Sequence, residues 1–110
     1  MPMNDPRSHL IVALDVPDRA AAMKAIGQLS GHVGYFKIGL ELFTREGPQL
    51  VQEIRNRGEK IFLDLKLHDI PNTVRGAVRS ACRLEVQMLT TTITLPSLCS
   101  RWLESQGKNY

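Results

Sequence analysis

The stretch IFLDLKLHDIP, residues 61–71, sets Asp64, Lys66 and Asp69 at the end of an apolar run that reads as a buried strand. Side chains alternate along a strand, so Asp64 and Lys66 share one face with Phe62, while Leu63 and Leu65 look the other way. Where that face lines the interior of a barrel, the two charges lie side by side with little water. Taking ions out of water costs several kcal/mol each, and a pair that serves only the fold can often be replaced by apolar residues. The arrangement also has a chemical use, because an ammonium flanked by carboxylates stays protonated and can act as a proton donor rather than a base. Asp15 in HLIVALDV and Lys37 in VGYFKIG fall at or near the ends of two further strand-like runs. The charges therefore come from three strands but one end of a sheet, where parallel α/β folds gather their active sites. For any single member, a structural salt bridge or a charge that has reached solvent is the plainer reading.

The elements that must position these residues are legible from periodicity. HLIVALDV (9–16) is a short, partly β-branched run ended by Pro17, as in a strand buried on both faces. Asp18 is placed to cap a helix over 18–29, with Ala22, Ala25, Ile26 and Leu29 on its apolar face. VGYFKIG (33–39) reads as a second strand. In LELFTREGPQLVQEIRNRG, Pro48 suits a first helical turn, Leu50, Val51 and Ile54 form a stripe, and Gly58 suits the helix end. KIFLDLK (60–66) is the third strand, residues 71–85 the third helix, and VQMLTTTI (86–93) a fourth strand. A βαβαβαβ order with a repeat near 25 residues implies a parallel sheet, either open and doubly wound or about half of a (β/α)8 barrel, since a whole barrel needs roughly 200 residues or more. The glycine-rich dinucleotide fingerprint is absent after the first strand, where DVPDRA stands, which weakens the open-sheet alternative.

Bulk properties narrow the classes further. The chain has 110 residues, is 43% hydrophobic and 23% charged, and so is one small domain or a fragment of a larger one. Its net charge of +3 is spread through the helices rather than clustered, the pattern of a solvated surface and not of a nucleic-acid or membrane partner. Cys82 and Cys99 lack metal-ligand spacing and read as reduced thiols, Cys82 as a small core residue. The N-terminus lacks the pattern of a signal peptide and no stretch approaches a membrane span, so a soluble, cytoplasmic protein is expected. His9 and His32 stand near strand starts as surface or packing residues, and His68 suits a hydrogen bond within its loop. No Ser/His/Asp arrangement or P-loop is present.

The segments ALDV, FKIG and above all FLDLKLHDIPNTV resemble the orotidine 5'-phosphate decarboxylases, with the signature DxKxxDIPxT and a match over about residues 9–90. The resemblance implies the N-terminal half of a (β/α)8 barrel, working as a cytoplasmic homodimer with a shared active site and no metal or organic cofactor. It implies conversion of orotidine monophosphate to uridine monophosphate and CO2 in pyrimidine biosynthesis. Asp15 is then expected at the ribose hydroxyls, Lys37 at the ribose and the neighbouring carboxylate, and Asp64 against the substrate carboxylate. Lys66 is expected to protonate the ring carbon that CO2 leaves, while Asp69, Ile70 and Thr73 reach into the partner's site. Sugar-phosphate decarboxylases and hexulose-phosphate synthases share the DxKxxD core but resemble magnesium enzymes with a carboxylate on strand two. Lys37 and the DIPNT that follows the core favour the nucleotide enzyme.

The similarity divides the chain into a partial barrel domain, 1–90, and an atypical tail, 91–110, beginning TTITLPSLCS where relatives continue into a histidine- and glycine-rich loop. An irregular cap, a disordered end and an out-of-frame or truncated terminus all remain open for this tail. The family's phosphate-gripping and pyrimidine-reading residues belong to later strands, so the 110 residues alone are expected to be inactive. The alternative is a noncatalytic half-barrel that binds a phosphorylated ligand or associates with a full-length subunit near Asp69.

Overall fold

The structure is a computed structural model and describes residues 4–91. A 3-10 turn (Pro6–His9) leads into β1 (Ile11–Ala13), followed by α1 (Arg19–Leu29), β2 (Tyr35–Gly39), α2 (Leu40–Glu46), α3 (Pro48–Asn56), β3 (Ile61–Leu67), α4 (Pro71–Cys82) and β4 (Met88–Thr91). The four strands are parallel and lie in the order β1-β2-β3-β4.

Local chemistry accounts for the boundaries. Asp18 caps α1, its carboxylate accepting from the Ala21 N–H at 2.9 Å. Gly47, at φ 74, separates α2 from α3, and Pro48 opens α3 where its missing N–H costs nothing. Pro71 opens α4 in the same way. Two differences from the sequence reading stand out. The run 9–16 is strand only at 11–13, because His9 belongs to the preceding 3-10 turn and the chain leaves the ladder after Ala13. Residues 40–46, left without an element by the sequence, form α2, held between β2 and the Gly47 turn.

Register places one apolar face across the sheet. Phe36 pairs with Ile61 and Ile38 with Leu63, and all four are completely buried. They pack with Ala22 and Ile26 of α1, Leu42 of α2, and Leu50, Val51 and Ile54 of α3 in one core cluster. Val74, Val78 and Cys82 of α4 form a second cluster, into which Leu67 and Leu89 pack. On the opposite face, Lys37 pairs with Phe62, Gly39 with Asp64 and Phe62 with Met88. These alternate positions belong to neither cluster. Consecutive strand order with helices packed on one face is the arrangement of an incomplete (β/α)8 barrel, its sheet not closed, rather than of a doubly wound sheet, which reverses its strand order.

Cys82 occupies the buried place expected of it but is disulfide-bonded, which corrects its reading as a reduced thiol. Cys99, Trp102 and the proposed tail beyond Thr91 lie outside the described residues. Among those described, no helix is long and apolar enough to cross a membrane.

Two glycines separate space from conformation. A Cβ on Gly34 would overlap the backbone of Ser8, whereas one on Gly27, inside α1, would meet nothing within 4 Å. Gly34→Ala is expected to destabilise the chain by about 1–3 kcal/mol through forced backbone shifts. Gly27→Ala should instead stabilise it by about 0.5–1 kcal/mol through lost chain entropy in the unfolded state and better helix propensity. Urea midpoints of the two variants, moving in opposite directions, check both.

Candidate active site

At the C-terminal ends of β1, β2 and β3 lies a cleft of about 210 Å³ lined in part by Asp15, Lys37, Gly39, Glu41, Asp64 and Lys66. Each arrives by a simple rule. Lys37 is the middle residue of β2, pointing away from Phe36 and Ile38, and Gly39 ends that strand with no side chain to fill the space before Asp64. Asp15 stands exposed in the loop after β1. Glu41 comes from the first turn of α2, an element without a counterpart in the sequence reading.

The centre of the group is the Asp64 carboxylate, whose side chain is only 11% exposed. Its Oδ2 lies 3.0 Å from Lys66 Nζ and 3.6 Å from Lys37 Nζ. Its Oδ1 accepts a 2.6 Å hydrogen bond from the Thr90 hydroxyl. The Thr90 hydrogen bond, then that of Lys66, and the fields of the two ammonium groups hold the Asp64 carboxyl below its ordinary value despite opposition from burial.

The strand carrying these residues is irregular where they sit. Leu63 pairs with Leu89 and Leu67 with Thr91, so Thr90 alone faces Asp64, Leu65 and Lys66. Lys66 has φ 49, a left-handed conformation that costs a non-glycine residue about 1–2 kcal/mol. Its N–H donates to Thr90 Oγ1 at 3.1 Å. Such irregularities re-aim side chains at functional positions.

The structure thus brings together Asp15, Lys37, Asp64 and Lys66. Lys66 departs from expectation in its surroundings, for its side chain is 71% exposed rather than held with little water. The inner face of the sheet is not covered by the helices that pack on the outer one, so the ammonium stands in the open. Asp69, Ile70 and Thr73 do not line the cleft. Asp69 accepts from the Ile70 N–H at 2.7 Å, Ile70 is 65% exposed, and Thr73 is exposed in the first turn of α4. Thr90 and Glu41 were not anticipated. Parity could have found Thr90, since it follows Met88, the partner of Phe62, by two residues and so shares the face of Asp64. Among the described residues no group of three His, Cys, Asp or Glu side chains could hold a metal ion.

The profile of the orotidine 5'-phosphate decarboxylase / HUMPS family matches residues 8–98. The orotidine 5'-phosphate decarboxylase of Moorella thermoacetica is 54% identical over 83 residues, which cover 76% of this chain and 33% of that protein. The one from Synechocystis sp. is 53% identical over 89 residues, covering 81% and 38%. Among solved structures, orotidine 5'-phosphate decarboxylase from Lactobacillus acidophilus superposes with a TM-score of 0.74 at 31% identity, covering 87% of this chain and 45% of that one. An uncharacterized conserved protein from Geobacillus kaustophilus gives a TM-score of 0.65 at 38% identity, covering 72% and 37%. The chain spans about a third of the length of the curated relatives it matches.

Asp64 makes the site sensitive to acid in a defined direction. A carboxyl whose pKa is lowered on folding contributes stability above its unfolded value near 3.8 and loses it as pH falls through the lowered folded value. Urea unfolding at pH 6 and pH 3 should therefore show a smaller acid-induced loss of stability in Asp64→Asn than in the native chain. Equal losses in the two would remove Asp64 from the linkage.

Proposed function

The chain belongs to the orotidine 5'-phosphate decarboxylase / HUMPS family, and from that premise we propose that its Asp15, Lys37, Asp64 and Lys66 form the reacting end of an orotidine 5'-phosphate decarboxylase. The observation that carries the proposal is the Asp64 carboxylate set between two ammonium groups at the strand ends, inside the DxKxxDIPxT signature.

In the proposed reaction the bond between the pyrimidine ring and its carboxylate breaks, CO2 leaves, and the electron pair stays on the ring carbon. Lys66 Nζ lies beside that carbon, stabilises the developing carbanion, and transfers a proton to it, giving uridine monophosphate. A cation fixed before the charge develops favours the transition state over the ground state, which is what raises the rate. Asp64 fixes the ammonium in place through its 3.0 Å hydrogen bond. It also faces the substrate carboxylate, where like-charge repulsion is relieved as CO2 departs. Lys37 bridges from Asp64 toward the ribose, and Asp15 accepts hydrogen bonds from the ribose hydroxyls. The chain's own ammonium supplies the charge stabilisation, with no metal or organic cofactor assigned to the step.

Asp69, Ile70 and Thr73 belong to a different surface in this proposal. Their absence from the cleft and the exposure of Ile70 fit a role in the neighbouring active site of a cytoplasmic homodimer. Phosphate recognition is assigned to later strands of a complete barrel, which the four strands among the described residues do not include. Because binding energy from the phosphate lowers the barrier at the distant ring, the 110 residues alone should bind the nucleotide weakly and turn it over poorly.

A titration of the purified chain with orotidine 5'-monophosphate tests the assignment. Amide signals of Asp15, Lys37, Asp64 and Lys66 are expected to move on addition of nucleotide, and substrate absorbance to stay constant. No response from folded protein, or a response confined to another surface, contradicts the assignment. Turnover that Lys66→Ala abolishes would support it and overturn the expected inactivity of the isolated chain. The reading as a noncatalytic half-barrel would then be lost as well.

A further inference from the structure

The hydroxyl of Thr90 occupies a place in the site that neither the signature motif nor the proposed chemistry assigns. It is the only side chain bonded both to the acid of the cluster and to the backbone of the lysine among the hydrogen bonds described for them. Proton bookkeeping fixes the direction of each bond. An amide N–H only donates and a carboxylate only accepts, so the hydroxyl takes the Lys66 N–H at 3.1 Å and gives its own proton to Asp64 Oδ1 at 2.6 Å. That occupies Oδ1 and leaves Oδ2 turned to Lys66 Nζ and Lys37 Nζ.

The backbone needs this bond for a separate reason. Between the Leu63–Leu89 and Leu67–Thr91 pairs, β3 has three residues against the single Thr90 of β4. Regular laddering cannot serve all three, and Lys66 is held at φ 49. Thr90 Oγ1 stands in for the missing carbonyl. Threonine also suits the task through its β-branch, which restricts χ1 and limits where the hydroxyl can swing.

We propose that Thr90 is a positioning residue, its hydroxyl linking the Asp64 carboxylate to the Lys66 backbone so that the irregular strand presents both charged groups together at the cleft. The reaction this serves rests on the decarboxylase reading; the hydrogen-bond chain does not. Thr90 touches no reacting atom in this account and acts through Asp64 and Lys66.

The test compares Thr90→Val, which keeps the shape and removes the hydroxyl, with Thr90→Ser, which keeps the hydroxyl. Carbon-13 titration of the Asp64 carboxyl in the native chain should give a midpoint below that of an ordinary aspartate. The midpoint should rise toward the ordinary value in Thr90→Val and stay near the native value in Thr90→Ser. Exchange of the Lys66 amide with solvent should become roughly fivefold faster in Thr90→Val, the effect of losing one hydrogen bond worth about 1 kcal/mol. A folded Thr90→Val with native Asp64 titration and native Lys66 exchange overturns the proposal. If Thr90→Val does not fold, the native chain and Thr90→Ser decide. A Lys66 amide protected from exchange, with a low Asp64 midpoint in both, supports the proposal, and a Lys66 amide exchanging as if unbonded overturns it. None of these readouts involves the nucleotide. A chain that shows them all yet ignores orotidine 5'-monophosphate would sink the decarboxylase reading and leave the role of Thr90 standing.

Discussion

The Asp64 carboxylate, mostly withdrawn from water, is shared between the ammonium groups of Lys37 and Lys66 and tied by its second oxygen to the hydroxyl of Thr90. Three strands meet in that one group, since Lys37 comes from β2, Asp64 and Lys66 from β3, and Thr90 from β4. Its value to stability is small. Lys66 is largely exposed, and ion pairs in contact with solvent contribute about 0–1 kcal/mol. What the arrangement achieves is geometric: it fixes two positive charges beside one cleft before any ligand arrives. Preorganised charge of this kind costs nothing at the moment a reaction needs it.

The apolar side of the sheet makes such a placement tolerable. Phe36, Ile38, Ile61 and Leu63 are wholly buried against α1, α2 and α3, and strand alternation then forces Lys37 and Asp64 onto the other face. The same strand therefore holds the fold with its odd-numbered residues near the start and presents charge with Asp64. Beyond Leu63 the pairing becomes irregular, and the left-handed Lys66 is accommodated at the point where chemistry is proposed. Packing supports the irregularity from both sides, through Leu63 in the main cluster and Leu67 against the α4 cluster.

Much of this was legible in the residues. Apolar alternation placed β2 and β3, Asp18 marked the start of α1, and Pro71 marked that of α4, because each rests on local chemistry that the structure also uses. The facing of Asp64 on the side of Phe62, away from Leu63, followed from period two alone. Four features were not legible. The helix over residues 40–46 is short, so its periodicity is too brief to read, and Gly47 and Pro48 drew attention to the helix that follows. The irregularity at Lys66 has no residue-type signal, since left-handed backbone usually announces itself as glycine or asparagine. Thr90 sat in a threonine run that read as plain strand; parity gives its face but not its role, which depends on the pairing shift across the sheet, a non-local property. The open exposure of Lys66 likewise depends on what covers the inner face, which local sequence does not determine.

The central claim is that the cleft at the strand ends is where the nucleotide's ring and ribose lie, with Asp64 and Lys66 at the reacting carbon. A crystal structure of the chain with bound uridine monophosphate tests it most directly. The account predicts the pyrimidine ring beside Lys66 Nζ and the ribose hydroxyls near Asp15 and Lys37. Nucleotide seated instead in the cleft lined by Ser30, Arg57 and Lys60, with the Asp64 group untouched, would contradict it.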